Sequence, residues 1–339
     1  MPTLKDVAKL AGVSVATASL ALNGKPVSKK AKTAVLDCAK KLNYVPNKIG
    51  RTLSTGRSNT IQLLFINSKK YANLVKEISF FYHMIEGILN VMEEHDQSLH
   101  YDVKNWEDEN LSRYFEQKVR DKTVDGIIII PQYIRNYDFL PYLMKSGFPY
   151  VILSACFQDA KINTVRIDNY YGAKLAAELL LKNGYTKIGL INGPNDHYDA
   201  VERERGFLDT FHSSEVNVPQ EACVNGDFTI ASGYTAAEKL FNQYVPEALF
   251  CANDYMAAGA MQYIQAKGYE IPEDVAVIGY DNLDVAHAVY PRLTTLDNRV
   301  YDVGMKMMRT LFEIIDTGES GKEYILKPFI KIRGTCPSL

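Results

Sequence analysis

Apolar residues recur at helical spacing in the first part of the chain, in three stretches separated by turn residues. The pattern predicts helices over residues 4–11, 15–22 and 29–42. Thr3 and Asp6 have the spacing of a capping box, Gly12 ends the first helix, and Ser14 is a favourable N-cap for the second. Two short helices joined by a small-residue turn are typical of a helix-turn-helix, although an arbitrary three-helix bundle would show the same periodicity.

After residue 60 the pattern changes to short apolar runs that alternate with helical stretches. The runs have the length of buried parallel strands and cover residues 61–66, 126–130, 150–153, 187–191, 248–251 and 275–279. The helical stretches cover about residues 81–95, 111–121, 172–183, 200–212, 232–244 and 256–267. This alternation predicts doubly wound parallel sheets, and the length of the region favours two lobes with a ligand site between them.

The composition of the 339 residues is that of an ordinary globular protein, with 47% hydrophobic and 23% charged residues. Its length suggests two to three domains. The five cysteines form no CxxC pair, so we expect neither a metal site nor a disulfide framework, and a reducing cytoplasm is the expected location. No apolar stretch has the length of a membrane span or the features of a signal peptide.

The net charge of −2 conceals a strong asymmetry along the chain. Residues 1–60 contain eleven basic and two acidic residues, a charge of +9, whereas the remainder carries −11. A basic head on an acidic body is typical of a polyanion-binding module joined to a domain with another role, although a merely solvated basic head fits the composition equally well.

Several sequence blocks at linked spacings resemble the lactose-repressor/galactose-repressor family of transcriptional regulators. In the head these blocks are residues 4–23, 27–28, 42–47 and 51–53. In the body they include residues 124–128, 167–169, 184–189, 192–194, 203–207, 251–260, 278–282 and 291–295. The resemblance implies a small all-α helix-turn-helix head and a bilobal α/β core similar to periplasmic sugar-binding proteins.

The resemblance also implies the domain limits. Residues 1–46 would form the DNA-binding domain, residues 47–60 a hinge helix and linker, and residues 61–339 the effector-binding and dimerisation core. Within the core, the first lobe would take about residues 61–162 and 297–325, and the second about residues 163–296 and 326–339.

In that family the second helix of the head enters the major groove of the operator. By resemblance the DNA-binding residues of the head are Thr3, Ser14, Val15, Ala16, Thr17, Ser19, Leu20, Lys25 and Lys29. Val15, Ala16 and Leu20 are apolar, so they can contact a thymine methyl group but cannot bond to a base edge. We therefore expect few direct base hydrogen bonds and a large, salt-sensitive share of phosphate contacts.

The basic segment after the head is too short for a stable isolated helix, and taken alone it is a plain linker. The resemblance implies instead a hinge that folds on operator DNA in the minor groove, with contacts from Asn47, Gly50 and Leu53. Leu53 matches the leucine that wedges between base pairs. Gly50 stands where alanine is usual, which should make folding of the hinge harder by about 0.5–1 kcal/mol.

The resemblance places an effector site between the lobes. Arg203 and Asp281 match its central pair, which suits a polyhydroxyl ligand because a fork of donors faces a carboxylate acceptor. Without the resemblance, Arg203 would be taken for a surface charge and the adjacent Phe80 and Phe81 for core residues. The remaining implied contacts are Phe80, Phe81, Ser154, Asp168, His197, Asp199, Phe228, Asn253 and Asn298.

Two departures from the family pattern bear on the ligand. Ser154 stands where many members carry an aspartate, and a hydroxyl cannot supply a charged acceptor. The loop over residues 68–79 is longer than usual, which favours a modified or larger ligand.

The sequence therefore predicts a homodimeric regulator, a repressor by family resemblance, that binds pseudo-palindromic operator DNA and a small effector, most simply a carbohydrate. It predicts no cofactor, no metal and no membrane partner. A cytoplasmic solute-binding protein without DNA function is the alternative, which the basic head disfavours. An enzyme is disfavoured because no catalytic motif is present.

Overall fold

A computed structural model describes residues 2–45, 57–68, 78–95, 97–131, 137–153 and 161–337. The chain divides into two compact units, described separately below. The first comprises residues 1–60 and 120–125, and the second comprises residues 61–119 and 126–339.

Three helices form the head: α1 (Leu4–Ala11), α2 (Val15–Leu22) and α3 (Lys29–Lys41). The predicted capping box is present, because the Thr3 hydroxyl accepts from the Asp6 amide while the Asp6 carboxylate accepts from the Thr3 amide. Gly12 ends α1 in the left-handed conformation at φ +67°, which glycine adopts without strain. The three helices pack around a small core of Val7, Ala8, Ala18, Ala21, Val35 and Ala39.

The second unit alternates strands and helices around two six-stranded sheets. In chain order its elements up to residue 167 are β1 (Thr60–Asn67), α4 (Ile78–Met92), β2 (Ser98–Asn105), α5 (Leu111–Asp121), β3 (Gly126–Pro131), α6 (Leu140–Ser146), β4 (Tyr150–Leu153) and β5 (Thr164–Ile167). There follow α7 (Asn169–Lys182), β6 (Ile188–Asn192), α8 (Tyr198–Ser213), β7 (Cys223–Asn225), α9 (Ile230–Gln243), β8 (Ala248–Cys251), α10 (Asp254–Ala266), β9 (Ala276–Tyr280), α11 (Asp284–Ala288), β10 (Thr294–Asp297), α12 (Val300–Thr317), β11 (Glu323–Leu326) and β12 (Phe329–Lys331).

Each sheet forms the centre of one lobe. The first has the order β11-β5-β4-β3-β1-β2 and the second the order β12-β10-β9-β8-β6-β7. In the first sheet, neighbouring strands in the series β11, β5, β4, β3 and β1 pair in parallel. In the second sheet, neighbouring strands in the series β10, β9, β8, β6 and β7 also pair in parallel. The central strands β1, β3, β6, β8 and β9 are buried along their whole length, as expected for sheets covered by helices on both faces.

The lobes differ from the predicted arrangement in two respects. β5 pairs with β4 and β11, so the first lobe continues past residue 163, where the second was expected to begin. β12 runs antiparallel to β10 at the edge of the second sheet, which is therefore mixed. Within the described residues, no helix combines the length and apolarity needed to cross a membrane.

Candidate functional site

A cleft of about 570 Å³, partly continuous with solvent, is lined by residues of both lobes. Ile130 and Pro131 lie at the end of β3, Leu153 ends β4, and Asp281 directly follows β9. The cleft therefore lies at the carboxyl ends of parallel strands, where α/β sheets bind ligands.

The two walls of the cleft differ in chemistry. The described part of the first lobe supplies only apolar side chains, which are Phe80, Phe81, Ile130, Pro131 and Leu153. The second lobe supplies His197, Asp199, Arg203, Phe228, Asn253, Tyr255, Asp281 and Leu283. A ligand would therefore meet an apolar surface on one side and polar groups on the other.

Arg203 on α8 is buried, and each nitrogen of its guanidinium group has a partner. Nε donates to Asn169 Oδ1 at 2.8 Å, Nη1 to the Ala252 carbonyl at 2.5 Å, and Nη2 lies 3.1 Å from Asp281 Oδ1. The group also stacks 3.8 Å from the centre of the Tyr280 ring. Burial opposes its charged form, but the nearby anionic groups, Asp281 foremost, raise the pKa of Arg203 above its ordinary value. The guanidinium is therefore charged and held in one orientation.

Asp281 lies opposite Arg203 in an unusual backbone conformation, with φ at +107°. Its Oδ1 accepts from Asn298 Nδ2 at 2.8 Å as well as pairing with Arg203. Burial raises the pKa of Asp281 to about 7, with Arg203 opposing this rise and Asp199 adding to it. The Asp281 carboxyl can therefore both accept and donate near neutral pH.

His197 and Asp199 stand at the start of α8. The His197 ring makes an edge contact with the Phe228 ring, with centroids 4.9 Å apart. Burial lowers the pKa of His197 to about 4, so this imidazole is neutral at physiological pH. Asp199 Oδ1 accepts from Asn169 Nδ2 at 2.9 Å.

The side-chain oxygen and nitrogen of Asn253 both form hydrogen bonds that support the cleft wall. Oδ1 accepts from the Met256 amide at 2.9 Å and caps α10, while Nδ2 donates to the Phe228 carbonyl at 3.0 Å. Phe228 has φ at +67°, and this hydrogen bond helps to hold its ring towards the cleft. Asn253 thus shapes the site by positioning an aromatic neighbour.

Eight of the eleven predicted effector residues line this single cleft: Phe80, Phe81, His197, Asp199, Arg203, Phe228, Asn253 and Asp281. Asn298 is not part of the lining, but it bonds to Asp281 from behind. Asp168 is also absent from the lining, and its carboxylate accepts from the Tyr171 amide and caps α7. Ser154 lies outside the described residues.

Sequence reasoning missed five lining residues: Ile130, Pro131, Leu153, Tyr255 and Leu283. Ile130 and Leu153 end predicted strands and Pro131 directly follows one, so the rule that ligands bind beyond strand carboxyl ends could have indicated these three. Leu283 gives no such signal, because it does not end a predicted strand. Its place depends on a long-range hydrogen bond from its amide to the buried Asp254 carboxyl group at 2.7 Å.

The head exposes the side chains expected to face DNA. Val15 and Leu20 are 43% and 40% exposed, although both are apolar, and Ser14, Ala16, Lys25 and Lys29 are exposed as well. Ser14 caps α2 by accepting from the Thr17 amide at 3.0 Å. Thr3 is exposed but engaged in its capping box, and Thr17 and Ser19 are half-buried. The hinge residues Asn47, Gly50 and Leu53 lie outside the described residues.

Comparison with known proteins supports both parts of the chain. Residues 3–47 match the family model described as bacterial regulatory proteins, lacI family, and residues 177–336 match the periplasmic binding protein-like domain. The probable HTH-type transcriptional repressor ExuR of Bacillus subtilis (strain 168) is 32% identical over 333 residues, covering 96% of each chain.

Solved structures show the same architecture over nearly the full length. A complex of the transcriptional regulator CelR with cellobiose is 28% identical, with a TM-score of 0.73, and covers 99% of this chain and 100% of its own. A lac repressor dimer bound to operator and the anti-inducer ONPF is 24% identical, with a TM-score of 0.84 and 99% coverage of both chains, and shows the shared fold.

These matches confirm the predicted fold class and the family resemblance. The head, the bilobal core and a full-length relative above 30% identity agree with one another. The chain belongs to the lacI family of bacterial regulatory proteins, and it is a DNA-binding transcriptional regulator.

Proposed function

We propose that this regulator is a homodimeric repressor that binds a pseudo-palindromic operator through its heads and releases or retains it according to a ligand in the cleft. The observation that carries the proposal is the convergence of Arg203, Asp281, Asp199 and His197 at the carboxyl ends of two sets of parallel strands. The relatives named as repressors and the operator-bound lac repressor dimer support the DNA-binding part. This role also supports a cytoplasmic location.

We further propose that the ligand is a small, uncharged polyhydroxyl compound, such as a sugar. Hydroxyl groups can donate to the Asp199 and Asp281 carboxylates, while the Phe80 and Phe228 rings offer apolar surface to ring carbons. The cellobiose complex of CelR supports this class of ligand.

The charges of the cleft argue against an anionic ligand. Arg203 is the only cation among the described lining residues, and its guanidinium nitrogens already have protein partners. A carboxylate or phosphate group would approach the Asp199 and Asp281 carboxyls while the imidazole of His197 is neutral. Desolvating a further anion without a free cationic partner is unfavourable.

The domain limits at residues 46 and 60 and the DNA contacts of the head and hinge remain predictions of the same proposal. The exposure of Val15 and Leu20 on α2 supports the head contacts. Footprinting of genomic fragments tests this part, and binding without sequence preference at moderate salt would contradict it.

Thermal unfolding with a panel of compounds tests the ligand. The panel comprises D-ribose, D-glucose, D-galactose and cellobiose, with glucose 6-phosphate and D-glucuronate as anionic counterparts. A sugar present at 100 times its Kd should stabilise the protein by about 2.7 kcal/mol, and the anions should have no effect.

Two arginine variants on the same helix make this test specific. Arg203→Ala should abolish the stabilisation by the sugar. Arg205→Ala should retain it, because Arg205 is exposed and pairs with Glu202 on the surface. A shift that survives in Arg203→Ala would contradict the proposed site, and a shift caused only by the anions would contradict the uncharged ligand.

A further inference from the structure

The chain crosses between the two lobes at three places, and two of these crossovers carry a buried asparagine. The crossovers lie between β5 and α7, between β10 and α12, and between β11 and β12. Asn169 is the first residue of α7 and is 2% exposed, and Asn298 directly follows β10 and is fully buried. A change in the angle between the lobes is absorbed by the backbone of these three connecting segments.

Asn169 joins the first crossover to two groups that line the cleft. Its Oδ1 accepts from Arg203 Nε at 2.8 Å, and its Nδ2 donates to Asp199 Oδ1 at 2.9 Å. Asp199 and Arg203 are one turn apart on the same face of α8, so a single amide spans both. Asn169 itself does not line the cleft.

Asn298 joins the second crossover to the opposite side of the same ion pair. Its Nδ2 donates to Asp281 Oδ1 at 2.8 Å, the oxygen that also lies 3.1 Å from Arg203 Nη2. Its own Oδ1 is buried without a hydrogen-bond partner among the described residues. The result is an unbroken series of contacts from Asn298 through Asp281 and Arg203 to Asn169.

We propose that Asn169 and Asn298 are positioning residues that couple occupation of the cleft to the geometry of the two crossovers. A ligand hydroxyl that bonds to Asp199, Arg203 or Asp281 competes with an asparagine amide for the same atoms. Since buried polar groups are costly to leave unpaired, the amide moves with its partner, and the crossover backbone moves with the amide. Ligand binding and the angle between the lobes are thereby coupled, so that each changes the equilibrium of the other by the same free energy.

The inference rests on the proposed function, because the coupling is measured as the effect of a cleft ligand on operator affinity. The probe is the sugar of the panel above that stabilises the full-length protein most, used with an operator fragment identified by footprinting. The ratio of operator Kd with and without this sugar is the coupling, expected to be about 5- to 150-fold in the unmodified protein.

Asn169→Ala and Asn298→Ala should each lower this ratio by about fivefold or more, even when sugar is saturating. Asn163→Ala is the matched control, because Asn163 is equally buried in the first lobe but bonds to the amides of Gly321 and Lys322. This control should keep the ratio within about twofold of the unmodified value. A loss of stability alone would not reduce a ratio measured on folded protein.

Each outcome decides between the two claims. If the asparagine variants bind the sugar and keep the unmodified ratio, the coupling role is wrong while the proposed function stands. If no panel sugar binds the unmodified protein or alters its operator affinity, the proposed function fails and the inference fails with it. Should the alanine variants not fold, Asn169→Leu and Asn298→Leu fill the space without the amide and must show the same loss.

Discussion

Asp281 is subject to two opposing effects, burial of its carboxyl group and the positive charge of Arg203. It adopts a positive φ, it is buried, and its Oδ1 faces both a guanidinium and an amide. Burial favours the neutral carboxyl, whereas Arg203 favours the charged one, and the balance places the pKa of Asp281 near 7. A backbone strained in this way persists only where surrounding contacts determine it, and such positions are concentrated at functional sites.

This balance predicts a pH-dependent difference between the unmodified protein and Asp281→Asn. The pKa of Asp281 rises from 3.8 in the unfolded chain to about 7 in the fold, so the folded state binds its proton more tightly. The stabilisation from protonated Asp281 is complete below about pH 4 and is lost as pH rises through 7. Asparagine has no proton to lose and tolerates a positive φ.

The free energy of unfolding, measured by chemical denaturation from pH 4 to pH 8, should therefore fall relative to that of Asp281→Asn as pH rises. Groups that titrate in both proteins and do not interact with Asp281 cancel in this difference, whereas the buried Asp254, whose pKa the Asp281 charge raises, also contributes to it. Parallel stability curves over the whole range would show that Asp281 keeps an ordinary pKa in the fold.

At this scale the sequence indicated the polar residues that line the cleft, but it did not indicate Asn169, which supports two of them from behind. Arg203 and Asp281 stand in motifs that resemble those of the family, so residue identity was sufficient to indicate them. Asn169 lies in a matching block, yet its side chain bonds to other side chains behind the cleft, and nothing in the one-dimensional pattern indicates that direction. Asp168, which the resemblance places near the effector, caps a helix and does not line the cleft.

At the scale of elements, the central strands were predictable because burial on both faces leaves a continuous apolar run. The edge strands β2 and β11 were not, because their exposure breaks the run. Both strands consist of exposed and half-buried residues, and both include charged side chains. Their place is set by pairing with distant strands, as when β11 joins β5, which local pattern cannot encode.

Helix pairs on the second lobe depend on close backbone approach. α9 and α10 meet at Gly233 and Gly259, and a Cβ at Gly259 would lie about 1.9 Å from the Ile230 carbonyl oxygen. A contact this short cannot be relieved by rotating a side chain, because the obstructing atom is backbone. The two helices would have to separate, and their shared core with them.

Gly259→Ala should therefore destabilise the protein by about 1–3 kcal/mol, despite the better helix propensity of alanine. Gln262→Ala, at an exposed position of the same helix, should change stability by less than about 0.5 kcal/mol. Denaturant unfolding of the two variants measures both effects. Equal stabilities would mean that the helices separate without cost and that close approach is not a requirement of this lobe.

For the whole molecule, the dominant feature is the separation of charge along the sequence. Residues 1–60 carry a net charge of +9 and the remainder carries −11. A polyanion such as DNA is therefore attracted to the first 60 residues and repelled by the rest of the chain. The α2 helix, which is proposed to read the operator, contributes little to that attraction, because it carries no charged residue and exposes apolar Val15 and Leu20. Affinity and sequence preference should therefore be carried by different residues.

Salt dependence of operator binding separates these two contributions. Lys25→Ala and Lys29→Ala together remove two exposed charges from each head, four from the proposed dimer, so the slope of log K against log salt should become shallower by about 3.6. Val15→Ala should leave the slope unchanged and alter the preference among operator sequences, since it removes a possible thymine-methyl contact without removing charge. Lys267→Ala removes an equivalent exposed charge from the core and should change neither quantity. A slope that responds to Lys267 as strongly as to the head lysines would mean that the core also contacts the phosphates, and that the charge separation does not assign DNA binding to the head alone.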